Sequence, residues 1–139
     1  MPSPASNILT NCMIQRKPDV LIIDDNLDYL DMLKLGLGKQ YSISAISSFD
    51  EIETLPPDLA TDLIISDYHI GLDTADKVLD RLKALFPSFQ YKPIIIVSGT
   101  IESTSLISHI KPFDFFEKPF TLKNLRTRIE DALSLGIIN

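Results

Sequence analysis

Apolar residues in this sequence fall into two kinds of segment that alternate along the chain. Val20–Ile23, Leu63–Ile65 and Ile94–Val97 are short, rich in β-branched residues and apolar at every position. Such runs fit strands of a parallel sheet covered on both faces. The aromatic run Phe113–Phe116 is similarly placed. Tyr41–Ile46 instead alternates serines with larger residues, which predicts an exposed edge strand. Between these runs the period becomes helical. Leu27, Leu30, Leu33 and Leu37 recur at three- and four-residue steps behind Asn26, a predicted N-cap. Val78, Leu79, Leu82, Leu85 and Phe86 form a second stripe that Pro87 stops. Leu122, Leu125, Ile129 and Leu133 form a third, with Thr121 as its cap and Gly136 expected past its end. Two weaker helical segments are predicted over Asp50–Leu55, ahead of Pro56-Pro57, and over the Ser/Thr-rich Glu102–Ile110.

Strand followed by helix, repeated along the chain, implies an α/β sandwich of three layers. Residues 1–17 mix Pro, Ser and Asn without a sustained period and read as an N-terminal tail, with a weak helical stretch over Ile8–Gln15. Residues 18–139 read as one domain. The common strand order 2-1-3-4-5 satisfies the rule for crossover connections and puts Tyr41–Ile46 at an edge.

Composition then narrows the class. The chain is 45% apolar and 23% charged over 139 residues, enough to bury a core and too apolar for a disordered chain. Its longest apolar stretches are four residues, against roughly 18 for a membrane span. The Met1-Pro2-Ser3-Pro4 start lacks the basic and apolar pattern of a secretory signal. The single cysteine, Cys12, has no internal disulfide partner and fits a reducing compartment, so a cytoplasmic location is expected. A net charge of −6 argues against nonspecific nucleic-acid binding, which needs surplus Lys and Arg.

The chemistry lies in the polar residues at the end of each apolar run. Val20–Ile23 leads into Asp24-Asp25, Leu63–Ile65 into Ser66-Asp67, Ile94–Val97 into Ser98-Gly99, and Phe113–Phe116 into Glu117-Lys118-Pro119. Ligands of open parallel sheets bind outside the carboxyl ends of the strands, where strand order reverses. With strands about 4.8 Å apart, these polar groups converge within roughly 15 Å. Taken singly, Asp24-Asp25-Asn26 is equally a helix cap, Ser98 a turn former and Lys118 a surface lysine. Taken together, one strand end after another, they point to a site. Carboxylates about 4 Å apart repel by roughly 4 kcal/mol at an effective dielectric near 20. A hard divalent cation such as Mg²⁺ relieves that repulsion.

These motifs, Leu21-Ile22-Ile23-Asp24-Asp25-Asn26, Leu63-Ile64-Ile65-Ser66-Asp67, Ile94-Ile95-Ile96-Val97-Ser98-Gly99 and Phe115-Phe116-Glu117-Lys118-Pro119-Phe120, resemble the receiver domain of bacterial two-component response regulators over residues 18–135. The resemblance implies a flavodoxin-like (βα)5 doubly wound fold with a five-stranded parallel sheet. It implies that Asp67 accepts a phosphoryl group from a phosphohistidine of a sensor histidine kinase or a histidine phosphotransfer protein. Asp25 and Asp67 would ligate Mg²⁺ directly, Asp24 through water, and His69 through its backbone carbonyl. Lys118 and Ser98 would contact the phosphoryl oxygens, and Lys118-Pro119 is a candidate cis peptide. Ser98 and Phe115 would act as the switch, coupling phosphorylation to a protein-binding face over residues 101–135. His69 and Thr100 are expected to tune dephosphorylation. Gly71 stands where the family usually has proline, and a glycine that usually comes a few residues later is missing.

The expected role is a signalling phosphoprotein, not an enzyme acting on other substrates. It is either a stand-alone regulator or a domain of a longer protein, with no membrane or nucleic-acid contact of its own, and monomeric or dimerising on phosphorylation. A pseudo-receiver that only docks is the alternative. A haloacid-dehalogenase-type phosphatase is weaker, because Asn26 stands where that chemistry wants a second acid. Nucleotide binding is weaker still, since no glycine-rich phosphate loop follows a strand.

Overall fold

The computed structural model describes residues 16–99, 110, 112–118 and 120–138. The tail helix over Ile8–Gln15, Thr100, Pro119 with its candidate cis bond, and all but the last residue of the Glu102–Ile110 helix lie outside the described residues.

The apolar runs form the strands β1 (Asp19–Ile23), β3 (Leu63–Asp67) and β6 (Ile94–Ser98), with β2 (Ser42–Ile46) and β7 (Asp114–Glu117) beside them. They make one sheet of order β2-β1-β3-β6-β7, with every pairing parallel. This is the expected 2-1-3-4-5 order once two short strands, β4 (His69–Ile70) and β5 (Asp73–Thr74), are set apart from it. β3 and β6 are buried at every position, whereas β2, at the edge, is buried only at Ile46.

Two apolar layers sandwich the sheet. On one face Leu21, Ile23, Ile64, Ile94 and Ile96 pack with Val78, Leu79 and Leu82 of helix α2 (Ala75–Leu85). On the other, Val20, Ile22, Leu63, Ile65, Ile95 and Val97 pack with Leu30, Leu33 and Leu37 of α1 (Leu27–Leu37) and Leu125, Ile129 and Ala132 of α3 (Leu122–Ile138). The alternation of neighbours along β1, β3 and β6 is the two-residue period of a strand covered on both sides.

Local signals explain most of the boundaries. The Asn26 side chain accepts a hydrogen bond from the Tyr29 N–H and caps α1. Thr121 Oγ1 likewise accepts from the Asn124 N–H at the start of α3. α2 stops at Leu85, and Pro87 opens a 3₁₀ turn, Pro87–Tyr91. The Asp50–Leu55 segment is a 3₁₀ helix over Phe49–Thr54. Gly136 does not end its helix, which continues to Ile138. A glycine inside a helix costs about 1 kcal/mol relative to alanine, too little alone to stop one.

The unforeseen element comes directly after Asp67. β4 and β5 pair antiparallel as a small hairpin around Gly71, whose φ is +61°. Ile70 is buried in the α2 face of the core and Leu72 is fully exposed at the tip. Among the described residues, no helix is long and apolar enough to cross a membrane.

Candidate functional site

Register sets the site. Ile23 of β1 pairs with Ser66 of β3, so the next residues, Asp24 and Asp67, emerge side by side at the carboxyl edge. Asp67 pairs onward with Val97, and Ser98 ends β6 one step later, opposite Glu117. The Lys118 N–H donates to the Ser98 carbonyl at 2.7 Å, extending the last pairing and bringing the lysine to the same edge.

Carboxylate oxygens of Asp24, Asp25 and Asp67 all lie within 4.8 Å of one another. Lys118 Nζ closes the cluster, donating to Asp24 Oδ2 at 2.7 Å and Asp67 Oδ2 at 3.3 Å. Asp24 is fully buried, and its other oxygen accepts the Asn26 N–H at 3.0 Å. Asp25 is exposed, with Oδ2 accepting the Gly71 N–H of the hairpin turn at 2.9 Å. The hairpin is thereby tied to the acidic cluster.

Burial and the neighbouring Asp24 charge push the Asp67 carboxyl above its ordinary value, against the opposing pull of Lys118 and a backbone hydrogen bond from His69. Burial pulls the Lys118 ammonium down, but the hydrogen bond and charge of Asp24, followed by those of Asp67, outweigh it and hold Lys118 above the usual lysine value. The two shifts agree once the distances are considered, because the ammonium sits closer to Asp24 than to Asp67.

One contributor is not evident from the strand ends. Tyr29, on the first turn of α1, places its ring 4.2 Å from Lys118 Nζ, and its hydroxyl is pushed well above the usual phenol range by burial and then by the charges of Asp24 and Asp67. An aromatic residue one turn beyond Asp24-Asp25 is the only signal the sequence offers for it. Ser98 is fully buried at the end of β6. Phe115 pairs with Ile96, on the α2 side of the sheet, and is exposed at the edge strand, whereas Phe116 packs into the α1–α3 layer against Phe120. His69 is exposed on β4, its ring edge-on to Tyr68 at 4.9 Å.

The donor set is all oxygen. Three carboxylates against one ammonium leave two negative charges, a match in sign and hardness for one divalent cation. Asp24 accepts hydrogen bonds from Lys118 and the Asn26 N–H, and Asp67 from Lys118 and the His69 backbone, whereas exposed Asp25 accepts the Gly71 N–H through Oδ2.

The sheet order, the two covered faces and the acidic edge define the receiver fold of response regulators. The signal receiver domain of an HD domain-containing protein from Pseudomonas fluorescens Pf-5 superposes with a TM-score of 0.75 and 20% identity, covering 89% of this chain and 100% of that one. A response regulator receiver domain protein from Clostridium thermocellum gives 0.72 and 24%, covering 87% and 98%. In sequence, the transcriptional regulatory protein ZraR of Salmonella typhimurium is 25% identical over 125 residues, 88% of this chain. The chain spans 28% of the length of the curated relatives it matches. No protein-family model matches the chain.

Proposed function

We propose that this chain is a phosphoacceptor receiver domain in which Asp67 takes a phosphoryl group from a phosphohistidine on a sensor histidine kinase or histidine phosphotransfer protein. The supporting observation is the convergence of Asp24, Asp25 and Asp67 within 4.8 Å beneath the Lys118 ammonium. A docking module has no need to hold that much like charge together.

An Asp67 carboxylate oxygen attacks phosphorus. The new P–O bond forms as the P–N bond to the donor imidazole breaks, and its electron pair stays on the imidazole nitrogen. Charge spreads over three equatorial oxygens in the transition state, so the protein acts by positioning and neutralisation. Lys118 is a compact charge on a flexible stem, able to turn from Asp24 and Asp67 to a phosphoryl oxygen. The Ser98 hydroxyl donates to another. Asp25, Asp67 and the His69 backbone carbonyl would hold Mg²⁺, with Asp24 acting through water. When bound, Mg²⁺ neutralises the clustered carboxylates and a phosphoryl oxygen.

Phosphorylation then biases a two-state equilibrium through differential contacts. Ser98 moves toward the phosphoryl group, and Phe115, exposed in this structure, turns inward, changing the 101–135 face offered to a downstream protein. The lifetime of the phosphoryl group is tuned by His69 and Thr100. The protein therefore acts as a signal carrier in the cytoplasm, not as an enzyme turning over other substrates.

Acetyl phosphate with Mg²⁺ tests the reading. An acid-stable, hydroxylamine-labile adduct should form on the wild type and be missing from Asp67→Asn. A wild type that stays unmodified in the presence of Mg²⁺ would leave only the docking role.

A further inference from the structure

The proposed reaction depends on where the Lys118 ammonium sits, and two carboxylates do not fully fix it. Its Nζ lies 2.7 Å from Asp24 Oδ2, 3.3 Å from Asp67 Oδ2 and 4.2 Å from the centroid of the Tyr29 ring. We infer that Tyr29 is a positioning residue for Lys118, its ring face holding the ammonium over the acidic cluster in reach of a transferring phosphoryl group. The inference rests on the phosphoacceptor reading and adds to it a residue from outside the strand ends.

The Tyr29 ring is itself well placed. Its backbone N–H is tied to the Asn26 cap. The Phe120 ring meets it edge to face, with centroids 6.1 Å apart and an interplanar angle of 89°. Phe120 in turn rests on Phe116 at 5.4 Å. An aromatic chain thus runs from β7 to the first turn of α1 and ends at the ammonium.

Physical chemistry gives the ring a task that a carboxylate cannot perform. The lysine stem is flexible, and its side chain keeps 21% of its exposure, so solvent competes for the charge. A third carboxylate would hold the ammonium but also cancel its charge and repel incoming phosphate. A ring face attracts the cation through its quadrupole and carries no net charge. It therefore restrains Lys118 while leaving its positive charge available to the phosphoryl oxygens.

Three proteins test this: the wild type, Tyr29→Phe, which keeps the ring, and Tyr29→Leu, which keeps only apolar bulk. Tyr29→Met replaces the leucine variant if that one does not fold. The first readout is the proton resonance of the Lys118 ε-methylene in metal-free protein, assigned by its loss in Lys118→Met. It should lie upfield from ring shielding in the wild type and Tyr29→Phe, and at the ordinary lysine position in Tyr29→Leu. The second is the initial rate of adduct formation from acetyl phosphate with Mg²⁺. This should fall about tenfold in Tyr29→Leu, the scale of a partly desolvated cation–ring contact, and stay near wild type in Tyr29→Phe. An unshifted wild-type resonance, or a Tyr29→Leu rate equal to wild type, overturns the inference alone. So does a Tyr29→Phe rate as low as that of Tyr29→Leu, which would assign the effect to the hydroxyl. A wild type that forms no adduct overturns the phosphoacceptor reading, and this role with it.

Discussion

Asp24 and Asp67 leave adjacent strands side by side, yet the Lys118 ammonium serves them unequally, at 2.7 and 3.3 Å. Asp67 is left with the larger share of unrelieved repulsion, and burial with the Asp24 charge raises its pKa. A raised folded-state value means that the group's contribution to stability is full below the ordinary carboxylate range, near pH 4, and is lost as pH rises through the folded value. At pH 7 the ionised Asp67 therefore weakens the metal-free fold. Asp67→Asn should show a higher urea midpoint than the wild type at pH 7 without metal, and the gap should close toward pH 3. Lys118→Met should act in the opposite direction. It leaves the fully buried Asp24 carboxylate without its cation, and urea denaturation should register a loss of about 2–3 kcal/mol, discounted from a fully buried pair because Lys118 is partly exposed. A loss under half a kcal/mol would show that Asp24 is satisfied without the lysine. Asp24, Asp25, Asp67, Ser98 and Lys118 were legible in the sequence because each lies at or just past the end of an apolar strand. Tyr29 was not, since an aromatic residue near a helix start reads as ordinary packing until the lysine from residue 118 is brought onto it.

At the scale of elements, the strands and the three α-helices followed from period and caps, and Asn26 and Thr121 cap as their sequence positions indicate. The β4–β5 hairpin did not, because two-residue strands are too short for a hydrophobic period to show. Its turn depends on Gly71, which adopts φ +61° with open space where a side chain would begin. Substitution there meets conformational strain without a clash. Gly71→Ala should cost about 1 kcal/mol in urea denaturation, and Gly71→Asn distinctly less, since asparagine tolerates the left-handed region. Equal losses in the two would mean that strain at this φ does not govern the turn. Because the Gly71 N–H also binds Asp25 Oδ2, both variants should retain the acidic cluster's metal response, the amide being present in each.

Across the whole molecule, the sheet is held by a layer on each face, and Ile65 sits in one of them, fully buried between α1 and α3 residues. Ile65→Ala should cost about 2–5 kcal/mol, the range for a large buried aliphatic residue cut to alanine. Metal binding at the strand ends is linked to global unfolding, because the carboxylates come from β1 and β3 and are brought together only by the folded sheet. A hundredfold excess of Mg²⁺ over its dissociation constant should add about 2.7 kcal/mol of stability. A thermal shift that persists in an Asp25→Asn, Asp67→Asn double variant would place the metal elsewhere.

What the sequence determined by itself was the set of elements and the chemistry available at their ends. Apolar period and capping act over a few residues, and the polar pairs adjoin the strands directly in the chain. Tertiary structure decided which oxygens meet. The β1–β3 register places Asp24 beside Asp67, the hairpin turn reaches back to Asp25, and the fold lays Lys118 across both Asp24 and the Tyr29 ring. The hydrogen bonds from Gly71 to Asp25 and from Lys118 to Asp24 span 46 and 94 positions of the chain. At such separations no local pattern carries information, and only the packing of the sheet and helices does.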